Sequence, residues 1–285
     1  MSVVVTGSSG SVGRHVAAAL AAAGHDVLGI DVAPPPDDAG WRHVSADLTD
    51  LGALAQLTRH AKVLVHVAAI PRPTGRDAAT VFRTNVGATY NVVEAAALAG
   101  ARLVYASSFS VLGYPFFERP VVPVSLPVDE AQPVGAQDVY ALSKWLGEEI
   151  VEAAVRRGAL ASAASLRMPW IQTPSSFFCE VGPRRATPDS CRDLWAYLDA
   201  RDAADAFLRA VERPVAGHAR LFLSAADTFM DEPTAPLVAR SYPGVPLAKP
   251  LPGCAAVIDT ALARTTLDWA PRHSWRDYPV PAETP

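Results

Sequence analysis

The stretch TGSSGSVG, Thr6 to Gly13, decides how this chain is read. Its glycines are spaced Gly7-x-x-Gly10-x-x-Gly13. Such a run is either an ordinary glycine-rich turn or a cradle for a pyrophosphate. In the cradle the first glycine turns the chain tightly and the second lets backbone approach the phosphates. The third lets a helix pack closely on a sheet, and that helix offers its N-terminal N–H groups. The surroundings favour the cradle. Val3 to Val5, just before it, is a β-branched run with no polar face, as in a strand buried on both sides. Val12 to Ala23, just after it, is Ala- and Leu-rich and stops at Gly24, as a helix would. A second apolar run, Val27 to Ile30, ends at Asp31, about 20 residues past the glycines. A carboxylate there accepts hydrogen bonds from ribose hydroxyls and repels a 2′-phosphate, which selects NAD over NADP. Standing alone, it would be a solvated turn residue.

Outward from this motif, strand and helix alternate. Strands are predicted near Val44 and at Val63–Val67, Leu103–Ala106 and Leu160–Leu166. Helices are predicted at Thr49–Thr58, at Asp77–Ala99 closed by Gly100, and at Asp138–Arg157 with Asp138 as N-cap. The pattern is that of an α/β, Rossmann-type doubly wound parallel sheet. After Met168 the texture changes. Pro169, Pro174, Pro183 and Pro188 punctuate a loop-rich stretch to Arg192. A strand at Trp195–Leu198, a helix at Arg201–Glu212, a strand at Arg220–Leu223 and a helix at Ile258–Leu267 follow, with a tail from Tyr278. The expected organisation is an NAD-binding domain over residues 1–168, rejoined by elements within about 195–225. Residues 169–194 and 226–285 would form a small interleaved C-terminal substrate lobe.

Composition narrows the partners. Half of the 285 residues are hydrophobic, enough for a large core. The net charge of −4 gives no electrostatic footprint for nucleic acid or an anionic membrane. Three cysteines without a C-x-x-C pair argue against a disulfide framework or a metal site. SVVVTG reads as a strand directly after Met1 rather than as a signal peptide, and no apolar run approaches the roughly 20 residues of a membrane span. A soluble cytoplasmic protein acting on a small molecule is expected.

Two features supply chemistry. Tyr140-Ala-Leu-Ser-Lys144 puts a tyrosine and a lysine at i and i+4, on one helix face. Ser108 lies just past the fifth strand, at the carboxyl edge where doubly wound sheets bind ligands. Oxidising a secondary alcohol needs a base for the hydroxyl proton while hydride leaves. Free tyrosine titrates near about 10, too high for that task at neutral pH. A lysine cation about 4 Å away contributes on the order of 4 kcal/mol at an effective dielectric of about 20, enough to bring the tyrosine towards neutrality. Ser108 would hydrogen-bond the substrate oxygen, and Lys144 would also hold the nicotinamide ribose.

With these residues the chain resembles the extended short-chain dehydrogenase/reductase family, the NAD-dependent epimerase/dehydratase group. The resemblance rests on TGSSGSVG, Asp31, Asp47-Leu48, His66-Val67-Ala68-Ala69, Asn85-Val86-Gly87 and Ser107-Ser108 with Val111 and Gly113. It continues through Asp129-Glu130, Tyr140 with Lys144, Gly147-Glu148, Leu166-Arg167 and LWAYLDARDAADAFLRAVE. It implies that the cofactor meets Ser9, Ser11 and Val12 besides the three glycines, that Asp47 and Leu48 flank the adenine, and that Val67, Ala68 and Ala69 line the middle. It further implies that Asn85 lies by the nicotinamide half and Pro169 near the ring. For Asn85, a purely structural hydrogen bond supporting the strand ends is the other reading. Relatives often dimerise through helices equivalent to Asp77–Ala99 and Asp138–Arg157, which implies a homodimer.

Departures from the family pattern narrow the chemistry. Dehydratases of this group carry an Asp-Glu pair directly after the serine or threonine; here Phe109 and Ser110 stand there. Nucleotide-sugar epimerases are longer and usually have Tyr-Gly-Pro after the sixth strand, where this chain reads RMPWIQTPSSFF. A short lobe suggests a smaller, sugar-like substrate. Ile70, Pro71 and Arg72 follow the fourth strand at the ligand edge, and Arg72 is either a partner for a substrate carboxylate or simply solvated. Arg184 and Arg185 raise the same question. Ser110 and Trp170 are further substrate candidates, and Phe177 and Phe178 either stack on a ring or fill the lobe. Three functions follow in order: an NAD-dependent oxidoreductase acting on a secondary alcohol or ketone, an epimerase that oxidises transiently, and a non-catalytic NAD sensor.

Overall fold

Val3, Val4 and Val5 are all buried, and they point to alternate sides. Val3 and Val5 pack with Val16, Leu20 and Phe207, while Val4 packs with Leu54, Val92 and Val93. Helices therefore cover both faces of the strand, which is why it has no polar face. Each such valine contributes about 1.5–3 kcal/mol relative to exposure.

The computed structural model describes residues 1–187 and 190–279. The chain runs β1 (Ser2–Thr6), α1 (Gly13–Ala22), β2 (Asp26–Asp31), β3 (Arg42–Ser45), α2 (Leu51–Thr58), β4 (Val63–His66), α3 (Ala78–Ala99) and β5 (Arg102–Ser108). It continues α4 (Val139–Arg156), β6 (Ser162–Met168), β7 (Trp170–Gln172), α5 (Pro174–Glu180), β8 (Tyr197–Asp199), α6 (Ala200–Glu212), β9 (Gly217–Phe222), α7 (Thr234–Ser241) and α8 (Ala261–Leu267). Seven strands form one parallel sheet in the order β3-β2-β1-β4-β5-β6-β9. The order reverses between β1 and β4, so the loops after these strands diverge and leave a crevice at their carboxyl ends.

Helix ends follow the expected chemistry. Asp77 caps α3 by accepting from the Thr80 N–H, and Gly100 closes it in the left-handed conformation. Asp138 caps α4 by accepting from the N–H groups of Tyr140 and Ala141. That bond fixes the first turn, in which Tyr140 sits.

The part after Met168 differs from expectation in detail. The stretch read as loop contains β7 and α5; its Pro188 lies outside the described residues. The strand read as starting at Trp195 starts at Tyr197, because Leu194 and Trp195 have φ of 54° and 51°, a left-handed conformation that interrupts extended chain. It pairs with β7 in a separate two-stranded sheet, so of the later strands only β9 joins the main sheet. Helix α7 was not expected, because Pro233 and Pro236 mask its short apolar pattern. The last helix begins at Ala261 rather than Ile258, which is held in a bridge to Val128. Tyr278 does not start a tail: it is buried, and its hydroxyl donates to Asp199 at 2.6 Å. Phe177, Trp195, Tyr197, Phe229 and Trp275 share an aromatic-rich core here, with Phe177 stacked on Trp275. Among the described residues no helix is long and apolar enough to cross a membrane, and no cluster of His, Cys, Asp and Glu has the makings of a metal site.

Candidate active site

The glycine loop turns at Gly7, where φ is +74°. A Cβ on Gly7 would lie 2.5 Å from the Ala68 nitrogen, and one on Gly13 would lie 1.9 Å from the Gly7 carbonyl oxygen. The loop is thus wedged between the end of β4 and the start of α1, with no room for a side chain at Gly7 or Gly13. The N–H groups of Ser11 and Val12 meet no acceptor among the described residues. Asp31 braces the loop from β2: its Oδ2 accepts from the Ser9 N–H and its Oδ1 from the Ala33 N–H, both at 3.0 Å. Bare backbone, free N–H donors and a carboxylate at the edge of the crevice fit the pyrophosphate and ribose of a dinucleotide.

One cleft of about 1300 Å³ runs from this loop across the carboxyl edge of the sheet. That exceeds the roughly 300–1,000 Å³ of a pocket for a single small ligand. Of the residues considered above for cofactor, catalysis or substrate, all but Asn85, Phe177, Phe178 and Arg185 line it. Asp47 and Leu48 stand at one end. Val67, Ala68 and Ala69 occupy the middle, near Ser108, Tyr140, Lys144 and Pro169. Ile70, Arg72, Ser110 and Trp170 also line the cleft.

Asn85 is committed elsewhere. Its Oδ1 accepts from the Ile70 N–H at 2.8 Å, and its Nδ2 donates to the Ile70 carbonyl and to Ser143 Oγ. The buried amide supports the loop after β4 and ties it to α4, the structural hydrogen bonding that was the other reading of this residue. Phe177 is core, and Arg185 pairs with Asp231 and stacks on Trp275 instead of lining the cleft. Arg184 lines it, with Nε 3.0 Å from Asp193 Oδ2. Burial pushes the Asp193 carboxyl up to about 7, and Arg184 opposes the rise.

Sequence reasoning missed Thr173, Ser175, Ser176, Glu180, Arg192 and Asp193, which the lobe adds to the wall. Their only signal was a run of polar residues after β6, without periodicity. Arg192 is held by the carbonyl oxygens of Pro115 and Phe117 and lies 4.2 Å from the Phe117 ring centre.

At the centre, Ser108 ends β5 and its Oγ accepts from the Ser110 N–H at 3.1 Å. Lys144 is buried, and its Nζ donates to the Ala106 carbonyl at 2.8 Å and lies 5.8 Å from the Tyr140 ring centre. The expectation that Lys144 lowers the tyrosine is not met in the protein by itself. Burial pushes Tyr140 up to about 12, with Ser108 opposing and Asp138 adding to the rise. Burial also brings Lys144 down to about 7, while Glu148 opposes. Burial disfavours the charged lysine, and its ammonium is turned to a carbonyl, so it helps the phenol less than the spacing suggests. The phenol is therefore protonated and ready to donate.

Fold and site together define an NAD-dependent enzyme built for hydride transfer. Residues 3–223 match the family model described as the NAD dependent epimerase/dehydratase family, and the chain belongs to that family. It is 33% identical over 219 residues to an L-arabinose 1-dehydrogenase (NAD(P)(+)) of Haloferax volcanii, covering 74% of this chain and 82% of that protein. It is 28% identical over 163 residues to a GDP-mannose 3,5-epimerase of Oryza sativa subsp. indica, covering 51% of this chain and 40% of that one. A solved short-chain dehydrogenase/reductase superfamily protein of Agrobacterium tumefaciens, with bound NAD, superposes with a TM-score of 0.76 at 26% identity, covering 97% of this chain and 94% of that one.

Proposed function

We propose that the protein is an NAD-dependent sugar epimerase, acting on a sugar or nucleotide sugar by transient oxidation and re-reduction of one carbinol carbon. The observation that carries the reading is the single cleft in which the glycine loop, Ser108, Tyr140, Lys144 and the polar wall of the lobe are continuous. Its volume supports a dinucleotide and a second molecule end to end. The likeness to a GDP-mannose epimerase supports the stereochemical outcome. When bound, NAD supplies the hydride acceptor and donor. Ser108 holds the reacting oxygen, and Tyr140 exchanges the hydroxyl proton with it. In its protonated form Lys144 places a positive charge beside the phenol. Phe109 and Ser110, where a dehydratase needs carboxylates, leave no acid–base pair for eliminating water.

Net oxidation of a free sugar is the second reading, favoured by the likeness to an arabinose dehydrogenase over most of both chains. The exposed Phe82, Tyr90 and Leu98 on α3 support pairing of two copies; the mass in solution tests it. Free and nucleotide sugars incubated with NAD, followed both at 340 nm and by NMR, separate the functions. A stereoisomer formed without accumulation of reduced cofactor supports the epimerase. Reduced cofactor formed in step with substrate supports the dehydrogenase. Survival of either turnover in Tyr140→Phe would remove the tyrosine from its role.

A further inference from the structure

Two pairs of residues that carried the family resemblance, Gly147-Glu148 and Leu166-Arg167, lie outside the cleft. Glu148 sits one helical turn beyond Lys144 on α4 and is fully buried. Its Oε1 accepts from Ser107 Oγ at 2.5 Å and from Arg167 Nε at 2.9 Å. Its Oε2 accepts from Arg167 Nη2 at 2.8 Å and from Arg220 Nε at 3.1 Å. Ser107, on β5, faces Arg167 across the sheet on β6, and Arg220 belongs to β9. One carboxylate thus gathers the catalytic helix and three strands.

Two of those strands end at the site. Ser107 immediately precedes Ser108, and Arg167 stands two residues before Pro169 in the cleft wall. Successive side chains of a strand leave opposite faces, so tying Ser107 down to α4 also sets the direction in which Ser108 leaves. At the same level, a Cβ on Gly147 would lie 2.2 Å from the Tyr105 hydroxyl oxygen, so α4 lies flush on β5. Stability alone does not account for this cluster, because well-packed apolar residues often replace a buried ion pair at no loss. What a buried, fully hydrogen-bonded charge does supply is a unique register.

We propose that Glu148 is a positioning residue that, through Ser107 and Arg167, holds the Tyr140–Lys144 face of α4 in register with Ser108 at the end of β5. The proposal rests on the reading of Ser108, Tyr140 and Lys144 as the reacting groups. Arg220 reaches the same carboxylate from the outer side and also pairs with Glu149 and Glu152, so it anchors the cluster without touching the site.

The test compares Ser107→Ala with Arg220→Gln in the full chain. Ser107→Ala removes one small hydroxyl and should lower kcat about tenfold, since sub-ångström misplacement of reacting groups is costly. NAD affinity should stay near that of the wild type, and the thermal midpoint should fall modestly because one buried charge-assisted hydrogen bond is lost. Arg220→Gln should lower the midpoint and leave kcat within about threefold. Amide hydrogen exchange on the protein without cofactor gives a readout independent of substrate. Ser107→Ala should speed exchange in peptides spanning 105–113 and 139–146, and Arg220→Gln should not. Equal losses of kcat in the two variants, or unchanged exchange in those peptides in Ser107→Ala, overturn the proposal. Absence of turnover in the wild type overturns the epimerase and dehydrogenase readings instead, and the exchange result still decides the positioning.

Discussion

Lys144 Nζ donates to the carbonyl oxygen of Ala106 at 2.8 Å, so the cation of the site is held by a strand backbone and not by a carboxylate. Burial lowers Lys144 to about 7, from a usual value near about 10.4. Below about 7 the lysine is protonated in both folded and unfolded chains, and the fold bears the full cost of a buried cation. Between that value and about 10.4 the unfolded chain binds the extra proton, so stability rises with pH across the window. Lys144→Met should abolish turnover and stabilise the protein at pH 6 by about 2 kcal/mol, allowing for the lost bond to Ala106. Its advantage should shrink by pH 9.5. Urea unfolding of both proteins at the two pH values checks this; a difference that does not change with pH would rule out the burial penalty.

The glycines of the loop are unequal. Gly7 and Gly13 have no space for a Cβ, whereas one on Gly10 would lie 3.3 Å from the Gly7 carbonyl oxygen, a contact a small shift relieves. Gly13→Ala should therefore destabilise the fold by about 1–3 kcal/mol, as overpacking does. Gly10→Ala should fold with a near-native midpoint and lose NAD affinity, because its methyl stands where backbone must approach phosphate. Calorimetric melts and NAD titrations of the two variants separate these effects; equal loss of stability in both would contradict the assignment.

The legible parts of the chain were those whose physics is local. Val3–Val5, Gly7 to Gly13 and Asp31 declare a strand, a tight turn and a helix start by side-chain shape alone, and all three stand in the structure as expected. Tyr140 and Lys144 were legible because helix period puts them on one face. The lobe was not, because its partners are distant in sequence. β7 meets β8 across a gap that includes the left-handed Leu194 and Trp195, and Tyr278 reaches back to Asp199. The titration of Tyr140 was misjudged for a similar reason: spacing reveals that a lysine is near, but not that burial dominates the phenol.

Asn85 offers a test of resemblance against geometry. Its amide satisfies both the N–H and the carbonyl of Ile70 and reaches Ser143 beside Lys144. Removing it leaves part-buried backbone groups unpaired, at about 1–3 kcal/mol. Asn85→Ala should lower the urea midpoint by that amount and leave NAD affinity within about threefold. The opposite result, weak NAD binding with unchanged stability, would return Asn85 to direct contact with the cofactor.

Asp31 braces the glycine loop, and one substitution tests whether it also reads the ribose. Its carboxylate braces the Ser9 and Ala33 N–H groups, and the same carboxylate faces the cleft where a ribose would lie. Asp31→Ala removes both functions. If bracing were all it did, NAD and NADP affinity would fall together, because the loosened loop holds the pyrophosphate common to both. If the carboxylate also accepts ribose hydroxyls and repels a 2′-phosphate, NAD affinity should fall about tenfold or more while NADP gains relative to it. The informative quantity is therefore the ratio of the two dissociation constants, measured by fluorescence titration. A shift of the ratio by about tenfold towards NADP is expected; a constant ratio would reduce Asp31 to a brace for the loop.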